Sequence, residues 1–300
     1  MSIRYLLLLI ALLAANGWGQ SHDPLIVRVP APQEQTLDAS YNYFTGLLQL
    51  ALAKGAGSEW HLSTVSSNNM SQARMLRQIQ LENKIDIYWA GTSIKREKAL
   101  HAIRVPLLKG LLGFRVAIMH KSVEGHYQSI NNAKAFYRLK PCQGADWPDS
   151  DILEHSGFRV IRNPSLKGMY EQVSIMRCHF FPRGIHEVEA EYSAVIQRYP
   201  NLKLNKSLII HYPFPMYFFV NKHNDALIDV VRRGLELAID DGSFEYYMRT
   251  SDVTKHLFPL DSWIHARYLE LKNPFLPADT DTHNPRYWIQ YDASEDELIR

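Results

Sequence analysis

The chain has 300 residues, 46% of them hydrophobic and 21% charged, enough apolar material for one large domain or two ordinary ones. With 33 basic against 31 acidic residues the net charge is +2. No Lys/Arg run tracks a phosphate backbone, so nucleic acid is not an expected partner.

In chain order, Arg4 precedes an apolar run from Tyr5 to Ala15, and small residues lead into Gln20-Ser21-His22-Asp23. A positive start, about 11 apolar residues and a small-residue exit form the pattern of a secretory signal peptide, too short for the ~20 residues a bilayer needs. Residues 1–20 are read as that signal, the alternatives being a buried N-terminal helix or an uncleaved anchor. No later stretch is apolar enough to span a membrane: Pro106 to Met119 is interrupted by Lys109 and Arg115. The mature chain is therefore expected outside the cytoplasm and not membrane-spanning.

Leu25 to Val29 predicts a strand, Tyr41 to Ala53 a helix, Trp60 to Val65 a strand, Ser71 to Leu81 an amphipathic helix and Ile85 to Trp89 a strand. That alternation is a parallel α/β unit. The pattern restarts at Gly113 to Met119, a strand. A helix at Asn131 to Phe136 follows, then Tyr137 to Cys142 before the turn Gln143-Gly144-Ala145-Asp146. Next come a helix at Ser150 to His155, a strand at Phe158 to Ile161, a helix at Leu166 to Met176, a strand at His179 to Phe181 and a Glu-rich helix at His186 to Arg198. Met216 to Val220 is a strong strand, Ala226 to Asp240 an amphipathic helix and Phe244 to Arg249 a short one. The tail has too few strands for a third domain, so it is assigned to the first unit.

The fold expected is α/β and two-lobed, each lobe a mostly parallel sheet flanked by helices. Lobe 1 is 21–112 plus 216–300, with lobe 2 (113–215) inserted. Crossing segments near 110–115 and 212–217 are the hinge, and a ligand lies between the lobes at the carboxyl ends of strands. In this layout Cys142 closes one strand while Cys178 opens another parallel to it. The two sulfurs then sit at opposite ends, beyond the roughly 7 Å Cα limit, and both thiols are expected free.

Three segments, Asp86-Ile-Tyr-Trp-Ala-Gly-Thr-Ser-Ile-Lys-Arg96, Gln143-Gly-Ala-Asp-Trp-Pro-Asp149 and Phe180-Phe-Pro-Arg-Gly-Ile185, together with the helix Asp225 to Asp240 and Asp241 to Arg249, resemble the extracellular solute-binding proteins of the amino-acid type (family 3). These are the periplasmic receptors of ABC importers, and the chain looks like a divergent branch of them. The resemblance spans both lobes and implies a periplasmic location and a cleft faced by Thr92, Ser93 and Arg96. A guanidinium grips a carboxylate through two parallel hydrogen bonds, with hydroxyls completing the shell. The alternative is that Arg96 pairs with a nearby acid such as Glu97.

On the second lobe, Gln143 and Gly144 are placed where backbone N–H groups meet an anion, with Trp147 as a stacking surface. Asp149 either receives an ammonium or caps a helix. Arg183 stands where the family is expected to carry an acid, which favours an anionic group on the ligand; alternatively it pairs with Glu187 one helical turn on. Tyr41, Tyr43, Gln72 and Trp89 complete the candidate set from the first lobe, as aromatic walls and a polar tip.

No G-x-S-x-G, P-loop or dinucleotide glycine pattern occurs, and nothing assembles around Asp149 or His179 as a hydrolase would require. No HExxH or Cys-x-x-Cys marks a metal site, so neither metal nor cofactor is expected. The expected function is capture of a small polar, carboxylate-bearing solute by a monomeric receptor that presents its closed form to an ABC permease. The alternative is a soluble sensor serving a membrane signalling partner.

Overall fold

The computed structural model describes residues 24–32, 40–56, 60–67, 70–82, 84–260, 266–291 and 298–299; the expected signal at 1–20 lies outside them. The elements run β1 (Leu25–Pro30), α1 (Tyr41–Gly55), β2 (Trp60–Val65), α2 (Gln72–Gln80), β3 (Ile87–Gly91), α3 (Ile94–Ala99), β4 (His101–Ile103) and β5 (Phe114–His120). They continue with α4 (Glu124–Ser129), α5 (Ala133–Phe136), β6 (Cys142–Gly144), α6 (Pro148–His155), β7 (Ile161–Asn163), α7 (Leu166–Ser174) and β8 (Phe180–Gly184). The rest are α8 (Val188–Val195), β9 (Leu202–His211), β10 (Met216–Val220), α9 (Asp225–Asp240), α10 (Ser243–Thr250) and β11 (Arg267–Glu270).

Helix starts follow local chemistry. Ser71, Ser93, Asn132, Ser165 and Asn224 each accept a backbone N–H in the first turn of their helix, filling donors that have no intrahelical partner. Met75, Leu76 and Ile79 form the buried stripe of α2. They pack with Ala90, Tyr217 and Phe219 on one face of the β3–β10–β4 sheet.

Pairing is mixed. β1 and β2 are parallel, and β10 runs antiparallel between β3 and β4. Arg28 N–H donates to Asp86 Oδ2 at 2.7 Å and Asp86 N–H to Arg28 O at 2.9 Å, tying β1 to the approach of β3. The second sheet runs β11–β9–β5–β8, and a parallel bridge at Pro141 and Phe180 links it to the parallel β6–β7 pair. The strands that follow each crossing, β5 and β10, are the antiparallel ones. β11 joins β9 rather than the first sheet, so that part of the C-terminal stretch adds to the second sheet. Trp288 packs over Gly110, and Ile289 N–H donates to Lys109 O at 2.9 Å.

The crossing segments touch. Tyr212 N–H donates to Gly113 O at 3.3 Å and Leu107 N–H to Met216 O at 2.9 Å. A Cβ at Gly113 would lie 2.1 Å from the Tyr212 carbonyl oxygen, so only glycine permits this approach.

Two further expectations are corrected. β9, ten residues long, was not foreseen: Lys203 and Lys206 break its apolar run before Leu208–Ile209–Ile210. Cys142 and Cys178 form a disulfide, with Cα atoms 5.5 Å apart. Cys142 opens β6 instead of closing a strand, and Cys178 lies just ahead of β8. The parallel bridge at Pro141 and Phe180 then sets both cysteines at the same end of their strands, inside the distance a disulfide spans.

Candidate functional site

Between the two lobes lies a cleft of about 1150 Å³, slightly larger than the usual range of small-molecule sites. β1, α1, α2 and β3 supply Tyr41, Phe44, Ser71, Gln72, Tyr88, Trp89 and Gly91, while β5, α6, β8 and α8 supply Arg115, Trp147, Asp149, Arg183, Glu187 and Glu191. Phe214, in the return crossing, lies against Gly91 and forms part of the wall.

Arg96 is buried on α3 behind this wall. Its Nη1 donates to Gly91 O at 2.5 Å, and its Nη2 donates to Gln72 Oε1 and, across the lobes, to Asp146 O at 3.0 Å. No carboxylate touches the guanidinium among the described contacts, and burial lowers its pKa to about 10, with Asp149 partly opposing the fall. A buried cation held only by carbonyl-type oxygens has electrostatic capacity left for an anion.

The second lobe carries a dense ionic network. Arg115 on β5 donates to Asp149 Oδ1 at 2.5 Å, and Tyr212 Oη donates to the same oxygen at 2.6 Å. Arg183 on β8 makes a two-pronged contact with Glu191, Nε to Oε2 at 2.6 Å and Nη2 to Oε1 at 2.5 Å, with Glu187 Oε2 at 3.0 Å. Tyr170 Oη donates to Glu191 Oε2 at 2.9 Å. Glu187 also accepts from Gly184 N–H at 3.1 Å and lies 3.5 Å from Arg115. The Arg183 guanidinium stands over the rings of Trp147 and Phe181, 5.2 and 5.0 Å from their centroids.

This network changes the reading of Arg183. It is not an open receptor for an anion: Glu191 and Glu187 already take its charge. The acid missing from the strand end is supplied one and two helical turns on. Asp149 is neither free nor a helix cap, since it is the counter-ion of Arg115. Neither Arg115 nor Glu191 was singled out from the sequence.

The other expected residues divide. Tyr41, Gln72 and Trp147 border the cleft. Trp89 borders it too but is mostly core, stacked on Phe44 at 5.4 Å. Gly144 lines a small adjoining pocket with Ser71, Gln72 and Trp147. A Cβ there would sit 2.3 Å from the Trp147 ring, so the glycine makes room for the indole. Four are turned to internal partners. Tyr43 is buried and donates to Leu107 O at 2.8 Å, and Thr92 donates to Glu97 at 2.6 Å. Ser93 caps α3 through Arg96 N–H at 3.2 Å, and the buried Gln143 folds back on Gly144 N–H at 3.1 Å. Side chains at strand ends split between cleft and core according to pleat, which the residue type alone does not reveal.

No protein-family model and no curated protein sequence matches the chain. Solved structures do. An ancestral arginine-binding protein bound to arginine is 16% identical, with a TM-score of 0.54, over 76% of this chain and 98% of that one. A Salmonella typhimurium periplasmic binding protein described by its high arginine specificity is 13% identical, TM-score 0.53, over 75% and 98%. A histidine kinase sensor domain with similarity to periplasmic binding proteins is 12% identical, TM-score 0.52, over 75% and 94%. With the double crossing and the cleft, these likenesses establish that the chain has the two-lobed α/β fold of periplasmic binding proteins.

Proposed function

We propose that this chain is an exported solute-binding protein of the amino-acid type that closes its lobes over a small polar, carboxylate-bearing solute and presents the closed form to an ABC importer. The observation that carries this reading is the charge arrangement across one cleft. Behind the first-lobe wall Arg96 has no carboxylate partner among the described residues, and the wall across the cleft carries Asp149, Glu187 and Glu191 around two guanidiniums. A zwitterion fits both sides. Its carboxylate would take the Arg96 donor now given to the Asp146 carbonyl, and its cationic end would face the acids, with Trp147 and Tyr41 as walls. Among the described residues no helix is long and apolar enough to cross a membrane.

A thermal-shift panel of L-arginine, L-lysine, L-glutamine, succinate and glucose tests this. An amino acid is expected to raise Tm, because a ligand that binds only the folded state stabilises it. Arg96→Ala is expected to weaken that compound by at least about 1.5 kcal/mol, the scale of a charged hydrogen bond. A response confined to glucose contradicts the reading, and one confined to succinate contradicts its amino-acid part, since succinate has no cationic end to face the acids. The second reading, a sensor for a membrane signalling partner, is favoured by the shared fold of the histidine kinase sensor domain. A neighbouring permease and ATPase gene pair supports import, and a neighbouring kinase gene supports sensing.

A further inference from the structure

We propose that Arg183 is a built-in cation seated where the basic side chain of a ligand would lie, so that the cleft admits an amino acid without a basic side chain and turns away L-arginine and L-lysine. The substrate class rests on the proposed function; the seating of Arg183 does not. An acid and an aromatic face fit to receive a ligand guanidinium are present, and the protein's own side chain fills them. The buried Glu191 accepts Arg183 at both oxygens, at 2.6 and 2.5 Å, and Tyr170 Oη donates to Oε2 at 2.9 Å. A carboxylate met fork to fork in this way has no edge left for a second guanidinium.

Arg183 also stands over the Trp147 ring, 5.2 Å from its centroid, a face on which a ligand cation would rest. Arg183, Trp147, Glu187 and Glu191 all border the cleft, so the filled place belongs to the ligand chamber and not to the core behind it. No second place is offered. Asp149 is held by Arg115 and Tyr212, and Asp146 is exposed, where water screens its charge. No carboxylate of the first lobe borders the cleft among the described residues. The other exposed charges at the border, Arg74 and Lys167, are cations.

The desolvated charges of the closed site balance, with Arg96, Arg115 and Arg183 set against Asp149, Glu187 and Glu191. An amino acid with an uncharged side chain is itself neutral and keeps that balance. Its carboxylate would go to Arg96 and its compact ammonium to Glu187, whose side chain is 13% exposed against 5% for Asp149 and 3% for Glu191. L-Arginine or L-lysine brings one further cation between the lobes with no acid to meet it. An unpaired charge in such a place is costly, and the cost falls on the basic amino acids alone.

Two measurements test this. Calorimetry of the wild type with L-glutamine, L-leucine, L-arginine and L-lysine is expected to show the tighter of the first two binding at least about tenfold more tightly than either basic amino acid. Arg183→Ala is expected to lose that preference. Thermal melts of Arg183→Ala in millimolar ethylguanidinium chloride are expected to regain about 3 °C in Tm, a gain seen neither in sodium chloride of equal ionic strength nor in the wild type. A side chain that only fills space would not be replaced by a free guanidinium. L-Arginine or L-lysine binding the wild type as tightly as the neutral pair overturns the exclusion and leaves an amino-acid receptor standing. A preference kept by Arg183→Ala overturns the role of Arg183 in it. No regain, or a variant that stays unfolded even with ethylguanidinium, overturns the seating. Failure of all four amino acids to bind the wild type overturns the solute reading and the substrate class with it, and the melts still decide the seating.

Discussion

Arg183→Ala is expected to destabilise the protein by about 3–5 kcal/mol, read as a lower midpoint at unchanged m in urea unfolding. The side chain is buried and satisfies Glu191 through two nitrogens while drawing in Glu187. Removing it leaves Glu191 buried without its cation and Glu187 with only Arg115, 3.5 Å away, and desolvation then dominates, as it does whenever one member of a buried pair is deleted. The sign of the double change separates this cause from lost packing. Arg183→Met with Glu191→Leu keeps the volume and removes the orphaned acid, and is expected to recover at least half of the loss. If the double variant is as unstable as Arg183→Ala, the ion pair is not what the site depends on.

Gly234→Ala is the second large effect. α1 and α9 pack so closely that a Cβ at Gly234 would fall 1.8 Å from the Ala51 carbonyl oxygen, and one at Gly55 would fall 2.0 Å from the Val230 carbonyl oxygen. Both obstacles are helix backbone, which has no rotamer to change. Overpacking of about 3 kcal/mol exceeds the gain of about 1 kcal/mol from replacing a helical glycine, so a net loss of about 2 kcal/mol is expected in the same urea assay. Gly125 on α4 is the control. Nothing lies within 4 Å of its Cβ position, and Gly125→Ala is expected to be neutral or stabilising. A neutral Gly234→Ala would mean that the two helices sit farther apart than described.

The two lobes were legible because their elements have strong periods. α2 and α9 each carry a clear apolar stripe, and the run Met216–Val220 allows no reading but a strand. β9 was not legible because its outer half alternates around Lys203 and Lys206, which reads as a polar loop after Pro200-Asn201. The disulfide was missed through a strand boundary a few residues out, which moved Cys142 from one end of a strand to the other.

For the candidate site, segments singled out in the sequence border or adjoin the cleft, and their partners were misjudged. Arg183 and Asp149 were noticed, but their counter-charges come from other elements, and pairing across elements is a property of the fold. One signal was available in each case. Arg115 is a lone charge inside the apolar run Phe114–Met119, and a charge in a buried strand requires a partner. Glu187 and Glu191 stand four residues apart at the start of α8, a spacing that puts both on one face of the helix, toward Arg183 near the end of β8. Tyr43, Thr92, Ser93 and Gln143 carried the chemistry of ligand contacts, and their pleat or helix position turned that chemistry inward.

The most direct test of the central claim is a crystal structure grown with the panel compound that most raises Tm. The expected result is that compound lying between the lobes, its carboxylate within hydrogen-bond distance of Arg96 and its cationic end facing Asp149, Glu187 and Glu191 beside Trp147. A compound bound on the outer surface of either lobe, or an empty cleft with Arg96 still held by Asp146, would contradict it.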